Sequence, residues 1–192
     1  RTFVFDRNTG PLILSGGLVR GGTLVFTEGQ ELIIDGGLGQ DFIDLRLVGE
    51  FNVEIVPSET LRFTRVELDG TLNILGPALY PAFRPYDMTL LDGARVRVPD
   101  GWHFGIQALD VLRGNGTFAV PNGVFINRGT VAPGLSTGTL TIEGDYEQTA
   151  TGRLAVELAS ASDFDQLIIT GTADLLAGGT LEVDLLDGFV PS

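Results

Sequence analysis

Hydrophobic and polar residues alternate in short runs along most of the chain. The runs at 51–55, 154–158 and 181–185 place an apolar side chain at every second position, and most of the residues between them are acidic. A period of two is typical of a β-strand with one buried and one solvated face. Many runs follow a glycine, and the sequence contains seven Gly-Thr dipeptides. Because glycine forms tight corners readily, the pattern predicts short strands separated by corners.

Two all-β architectures fit such strands, a sandwich and a solenoid. Corners recur roughly every 8 to 12 residues, and single short strands between small turns favour a coil that wraps in one direction. The Asp-Gly and Asn-Gly pairs that begin at Asp35, Asp69, Asp92 and Asn122 are also hairpin signals, which leaves the sandwich open. We expect a solenoid on the order of 40 to 45 Å long. Its inward ladders include Leu140, Ile142, Leu154, Val156, Leu158, Leu167, Ile169, Leu181, Val183 and Leu185.

Composition narrows the classes of function. The 192 residues carry 25 acidic side chains against 12 arginines and no lysine, which gives a net charge of −13. This charge would repel a phosphate backbone, so we expect no nucleic-acid partner. No apolar run approaches the roughly 20 residues that span a bilayer, so we expect no membrane insertion of this segment. The absence of cysteine excludes disulfides and thiol chemistry.

The C-terminal third resembles the passenger-associated repeat of bacterial autotransporters and related surface proteins. The resemblance rests on GTVAPG at 129–134, GTLTIEGDY at 138–146, DQLIITGTA at 165–173 and GTLEVDLLDGF at 179–189. It implies a right-handed parallel β-helix, all-β and a single elongated domain, displayed at the bacterial cell surface. Residues 129–192 would form repeat-like C-terminal rungs, continuous with the solenoid rungs of residues 1–128. The C-terminal block would be a stable unit from which the remainder folds after export.

The segment 76–88 interrupts the alternation with three prolines and several aromatic residues. Proline removes a ladder donor, so we expect a protruding loop here. Tyr80, Phe83, Arg84 and Tyr86 are the candidate contacts for a ligand or partner, since Tyr and Arg often anchor interfaces and aromatic rings stack on sugars. The alternative is a loop folded back over the apolar flank of the solenoid.

One copy of a calcium-binding nonapeptide pattern, Gly-Gly-x-Gly-x-Asp-x-apolar-x, occupies 36–44. Asp41 and Asp44 are therefore candidate calcium ligands. The neighbouring segments do not repeat the pattern, and calcium in β-rolls lies between consecutive turns. The alternative is a glycine-rich corner whose aspartates face water, and we expect no other cofactor.

The sequence gives only weak evidence for a catalytic site. His103, the only histidine, follows the only tryptophan, and a lone histidine without cysteine cannot form the usual zinc sets or a Cys-His pair. No nucleophile elbow is present for a Ser-His-Asp triad. Carboxylates such as Glu54, Glu67 and Asp69 could form a pair for glycoside cleavage, with Arg46, Arg62 and Arg65 nearby, but the sequence selects no pair.

The sequence therefore predicts a non-enzymatic extracellular structural or adhesive protein. Self-association is expected, either laterally or end to end into fibres. The first and last rungs of a solenoid offer unpaired backbone groups that must be capped or paired with another copy. The rival is an extracellular polysaccharide-active enzyme or a glycan-binding module, for which surface glycans are the partners. Fold alone does not decide between them.

Overall fold

The computed structural model describes residues 1–35, 39–55, 59–76, 83–186 and 188–190. Within these ranges every regular element is a strand, and no helix is present that could cross a membrane. The strands are β1 Thr2–Phe5, β2 Leu12–Leu14, β3 Gly17–Ile34, β4 Gln40–Ile55, β5 Leu61–Leu75, β6 Phe83–Leu90, β7 Arg95–Arg97, β8 His103–Ile106, β9 Val111–Gly114, β10 Thr117–Asn127, β11 Thr130–Pro133, β12 Thr139–Gln148, β13 Arg153–Leu158, β14 Gln166–Ile169, β15 Ala173–Asp174 and β16 Thr180–Leu185.

All ladders between these strands are parallel, and they form three columns that we call faces 1, 2 and 3. Face 1 stacks β1, the middle parts of β3, β4 and β5, the end of β6, and then β9, β11, β13 and β16. Face 2 stacks β2, the last parts of β3, β4 and β5, then β7, the start of β10, the start of β12 and β14. Face 3 contains the first parts of β3, β4, β5 and β6, and above them β8 with the last parts of β10 and β12 and with β15. The molecule is a parallel β-solenoid. This confirms the predicted fold and excludes the β-sandwich that the sequence had left open.

The interior is built from the inward side chains of the three faces, and phenylalanine rings form much of it. Rings from successive turns contact one another in a column that runs from Phe42 to Tyr146, with centroid distances between 4.7 and 6.1 Å. A second stack joins Phe5, Phe26 and Phe51. Such ring pairs stabilise a fold beyond the area that they bury, so the turns are held together along the axis as well as by their ladders.

The predicted loop at 76–88 is wrong over its second half, because β6 begins at Phe83 and joins the ladder of β5. Residues 77–82 lie outside the described residues. Pro85 is accommodated within β6, where the β5–β6 register shifts. A proline that donates no hydrogen bond is tolerated where the ladder is irregular.

Ion pairs link turns of the solenoid on its outside, and most of them join neighbouring turns. Eight of the twelve arginines lie within 4.0 Å of a carboxylate. Asp44, for example, accepts hydrogen bonds from Arg20 on one side at 3.2 Å and from Arg65 on the other at 2.5 Å. Exposed pairs of this kind contribute little each, but they neutralise acidic side chains along the stack.

Candidate functional site

The residues predicted to contact a ligand around the aromatic segment separate into two groups. Phe83 is buried, and its ring lies 5.1 Å from Phe63 and 5.9 Å from Phe104. It is a link in the aromatic column, so its prediction as a contact residue is wrong. The alternation of β6 places Arg84 and Tyr86 on the opposite, outer side. Tyr80 lies outside the described residues.

Arg84 is already engaged by the protein. Its guanidinium lies 4.8 Å from the ring centroid of Tyr86 and forms two hydrogen bonds to Asp110, at 3.2 and 3.4 Å. The Asp110 carboxylate is fully buried and also accepts a hydrogen bond from the backbone N–H of Gln107 at 2.7 Å. A cation held by a ring and a buried carboxylate is a structural element. Arg84 therefore fixes the corner between β8 and β9.

The two aspartates of the calcium pattern are paired with arginines. Asp41 accepts two hydrogen bonds from Arg62, at 2.6 and 3.0 Å, and Asp44 lies at a corner between Arg20 and Arg65. The hydrogen bonds from these arginines lower the pKa of both carboxyl groups. Residues 36–38 of the pattern lie outside the described part of the chain. Within that part, no group of three or more His, Cys, Asp or Glu side chains could hold a metal, and calcium binding at Asp41 and Asp44 stays a prediction.

The carboxylates considered for glycoside cleavage are not gathered into one cluster. Glu54 lies on face 2, whereas Glu67 and Asp69 lie on face 1. Asp69 accepts a hydrogen bond from Arg46 at 2.5 Å. His103 is exposed at the start of β8 on face 3, in a depression described below. The positions of these carboxylates and of His103 therefore identify no acid–base pair.

The last described turn of the solenoid has an outer edge that no other described residue covers. A cavity of about 400 Å³ enters the interior there, lined mainly by inward side chains such as Tyr146, Leu154, Leu167, Ile169 and Leu181. Leu181 is in register with Leu154, yet its exposure is 64 %, and its neighbours Val183 and Leu185 are also exposed. The three residues were predicted as core. They continue the inward ladder, but no turn in the described residues covers them.

The first described turn is likewise not covered by other described residues. Phe3 is in register with the buried Leu24 but has an exposure of 52 %. Strands β1 and β2 pair only with β3, as β16 pairs only with β13 among the described strands. The first and last described turns therefore each present inward-type apolar side chains beside a strand edge that pairs with no further strand in the part of the chain that the structure describes.

A buried network of polar side chains lies next to the cavity at the last described turn. The Asn127 amide donates hydrogen bonds to the Tyr146 hydroxyl at 3.0 Å and to the Gln148 Oε1 at 2.9 Å, and the Tyr146 hydroxyl donates to the same Gln148 oxygen. Burial raises the pKa of Tyr146 to about 12, although the hydrogen bond from Asn127 opposes the shift. The network keeps polar groups satisfied where the apolar column ends.

This shift predicts an alkaline loss of stability. A tyrosine of the unfolded chain has a pKa near 10, so the folded state retains the proton more tightly. The resulting stability is complete below pH 10 and is lost as the pH rises toward about 12, by at most roughly 1.4 kcal/mol per pH unit. Urea unfolding of the wild type and of Tyr146→Phe between pH 8 and pH 11.5 measures this loss. The variant should be less stable at pH 8 but should decline less steeply above pH 10, and equal slopes would contradict the assignment.

No family model, curated protein or solved structure matches the chain. The passenger-associated repeat therefore stays a resemblance, carried by the residues of the C-terminal third. Sequence reasoning predicted that the first and last turns expose unpaired backbone groups, but it did not locate the depression near His103.

Proposed function

We propose that this chain is a non-enzymatic structural or adhesive rod of the extracellular bacterial surface, and that its copies associate end to end. The observation that carries the proposal is that the first and last described turns each expose apolar side chains of the inward type, beside a strand edge that has no partner strand among the described residues. Exposed edges of this kind are templates for pairing with another chain. An enzyme would need a cluster of reactive groups, whereas Glu54 lies on a different face from Glu67 and Asp69, and Asp69 is paired with Arg46.

The parallel arrangement of the strands selects the mode of association. In a parallel solenoid the C-terminal edge of one copy can continue the ladder into the N-terminal edge of the next copy, with strand direction preserved. Contact between two equal ends would reverse that direction. Head-to-tail contact is heterologous and does not close on itself, so it generates a fibre.

The distribution of charge along the chain also favours head-to-tail association. Residues 1–22 contain three arginines and one aspartate, whereas residues 154–192 contain seven acidic residues and no arginine. Arg1 and Arg7 form no ion pair with the described residues, and the same holds for Asp174 and Asp184. Head-to-tail contact therefore places opposite charges together, while contact between equal ends places like charges together. The net charge of −13 opposes lateral association.

Electron microscopy of the purified protein over a concentration series tests this proposal. Nine strands stacked on face 1 about 4.8 Å apart give a rod of roughly 40 Å, and we expect fibres that repeat at this length. The double variant Leu181→Glu with Val183→Glu should give separate short rods, because it buries two unpaired charges in the contact.

The control variant is Leu109→Glu, since Leu109 is 84 % exposed at the corner between β8 and β9 and far from both ends. It should assemble as the wild type does. Separate wild-type rods at every concentration, or unchanged fibres from the double variant, would overturn end-to-end association.

A further inference from the structure

Arg128 differs from every other arginine of the chain. Eight arginines are in ion pairs, and three of the remaining four, Arg1, Arg7 and Arg97, are exposed. Arg128 is half-buried, but no carboxylate of the described residues lies within 4.0 Å of its guanidinium. A partly buried cation without a counter-ion is costly, and this chain has 25 acidic residues from which a partner could have come.

The guanidinium lies over a depression in face 3. Gly105 occupies an outward position of β8, between His103 and Gln107, and an added Cβ there would lie 2.7 Å from Nη1 of Arg128. The φ of Gly105 is not in the left-handed region, so space rather than backbone conformation explains the glycine. The depression has a volume of about 370 Å³ and is lined by His103, Gly105, Gln107, Ile126 and Arg128. This volume is within the range of small-ligand sites.

The lining combines two kinds of contact. The Arg128 guanidinium offers a planar fork of donors that suits a carboxylate, and the His103 ring adds a nitrogen at the edge. Ile126 provides an apolar surface in the strand beside Gly105, its register partner. A carboxylate attached to a ring with C–H faces matches this combination, because one part of it binds the guanidinium and the other packs on Ile126.

The charge of the whole protein limits the ligand further. A net charge of −13 repels a polyanion, and Glu147 lies beside Ile126 in the next strand. A ligand with a single carboxylate avoids most of this repulsion. We infer that the Arg128 depression binds one uronic-acid unit carried by an otherwise neutral glycan. This inference does not rest on end-to-end association, and either can fail alone.

Isothermal titration calorimetry with methyl β-glucuronide tests the inference, with methyl β-glucoside as the neutral analogue and sodium sulfate as the inorganic anion. We expect the glucuronide to bind and both comparison compounds to bind at least about tenfold more weakly. Arg128→Gln should weaken glucuronide binding by about tenfold or more, since a hydrogen bond to a charged group is lost. Gly105→Ala should also weaken it, because the added methyl displaces the guanidinium without changing the charge.

Arg97→Gln is the matched control, since Arg97 is an exposed arginine without an ion pair on face 2. It should bind the glucuronide as the wild type does. Circular dichroism spectra would show that the variants are folded. Absence of glucuronide binding at millimolar concentration, equal binding by Arg128→Gln, or equal affinity for the glucoside or for sulfate would overturn the inference.

Discussion

Replacement of Gly70 by alanine should lower the free energy of unfolding by about 3 to 5 kcal/mol. Gly70 stands at the corner between faces 1 and 2 with a φ of 146°, where a side chain is strained. The added Cβ would lie 2.1 Å from the carbonyl oxygen of Gly49 in the preceding turn. That oxygen belongs to a backbone held in ladders on both sides, so it cannot move away without breaking hydrogen bonds.

Gly93→Ala separates the clash from the strain of a positive φ. Gly93 has a φ of 76°, but an added Cβ there meets no atom within 4 Å. The free energy of unfolding of this variant should fall by only about 1 kcal/mol, the cost of the unfavourable backbone conformation. Equilibrium urea unfolding of both variants beside the wild type gives the comparison. Similar losses in the two variants would mean that close stacking at the glycine corner is not what restricts this position.

The solenoid was predicted from two sequence patterns, the alternation of apolar and polar residues and the glycine corners, and the structure contains both. The run at 51–55 has Phe51, Val53 and Ile55 buried, and residues between them face outward. Glycines such as Gly22 and Gly70 form the corners that the Gly-Thr pattern indicated. Alternation and corner glycines are local properties, so a sequence reports them directly. The strand that was missed, β6, contains proline, and its pairing is fixed by the neighbouring turn rather than by its own residues.

The arrangement of side chains on the outside could not be predicted in the same way. Partners on adjacent turns are 21 residues apart for Arg62 and Asp41 but 26 apart for Arg84 and Asp110. Because the length of a turn varies, no fixed spacing identifies a pair. For the same reason the sequence does not reveal that Arg128 has no carboxylate partner among the described residues. The calcium pattern was likewise local, and it contained no information on Arg62 and Arg65, which the next turn brings to its aspartates.

Asp110→Ala should destabilise the protein by about 3 kcal/mol, the second large effect that we expect. The Asp110 carboxylate is fully buried, and the change leaves the Arg84 guanidinium, whose side chain is only 19 % exposed, without its counter-ion. It also removes the acceptor of the Gln107 N–H. Asp110→Asn should lose less stability, because an amide oxygen can still accept that hydrogen bond.

Asp69→Ala is the control, because Asp69 pairs with Arg46 at the surface, where both side chains are 40 % or more exposed. Exposed pairs contribute about 0 to 1 kcal/mol, so this variant should unfold almost as the wild type does. Thermal and urea unfolding of the three variants would rank them. The expected order of losses is Asp110→Ala, then Asp110→Asn, then Asp69→Ala. If Asp69→Ala cost as much as Asp110→Ala, charge neutralisation along the stack, rather than the buried corner formed by Arg84 and Asp110, would hold the turns together.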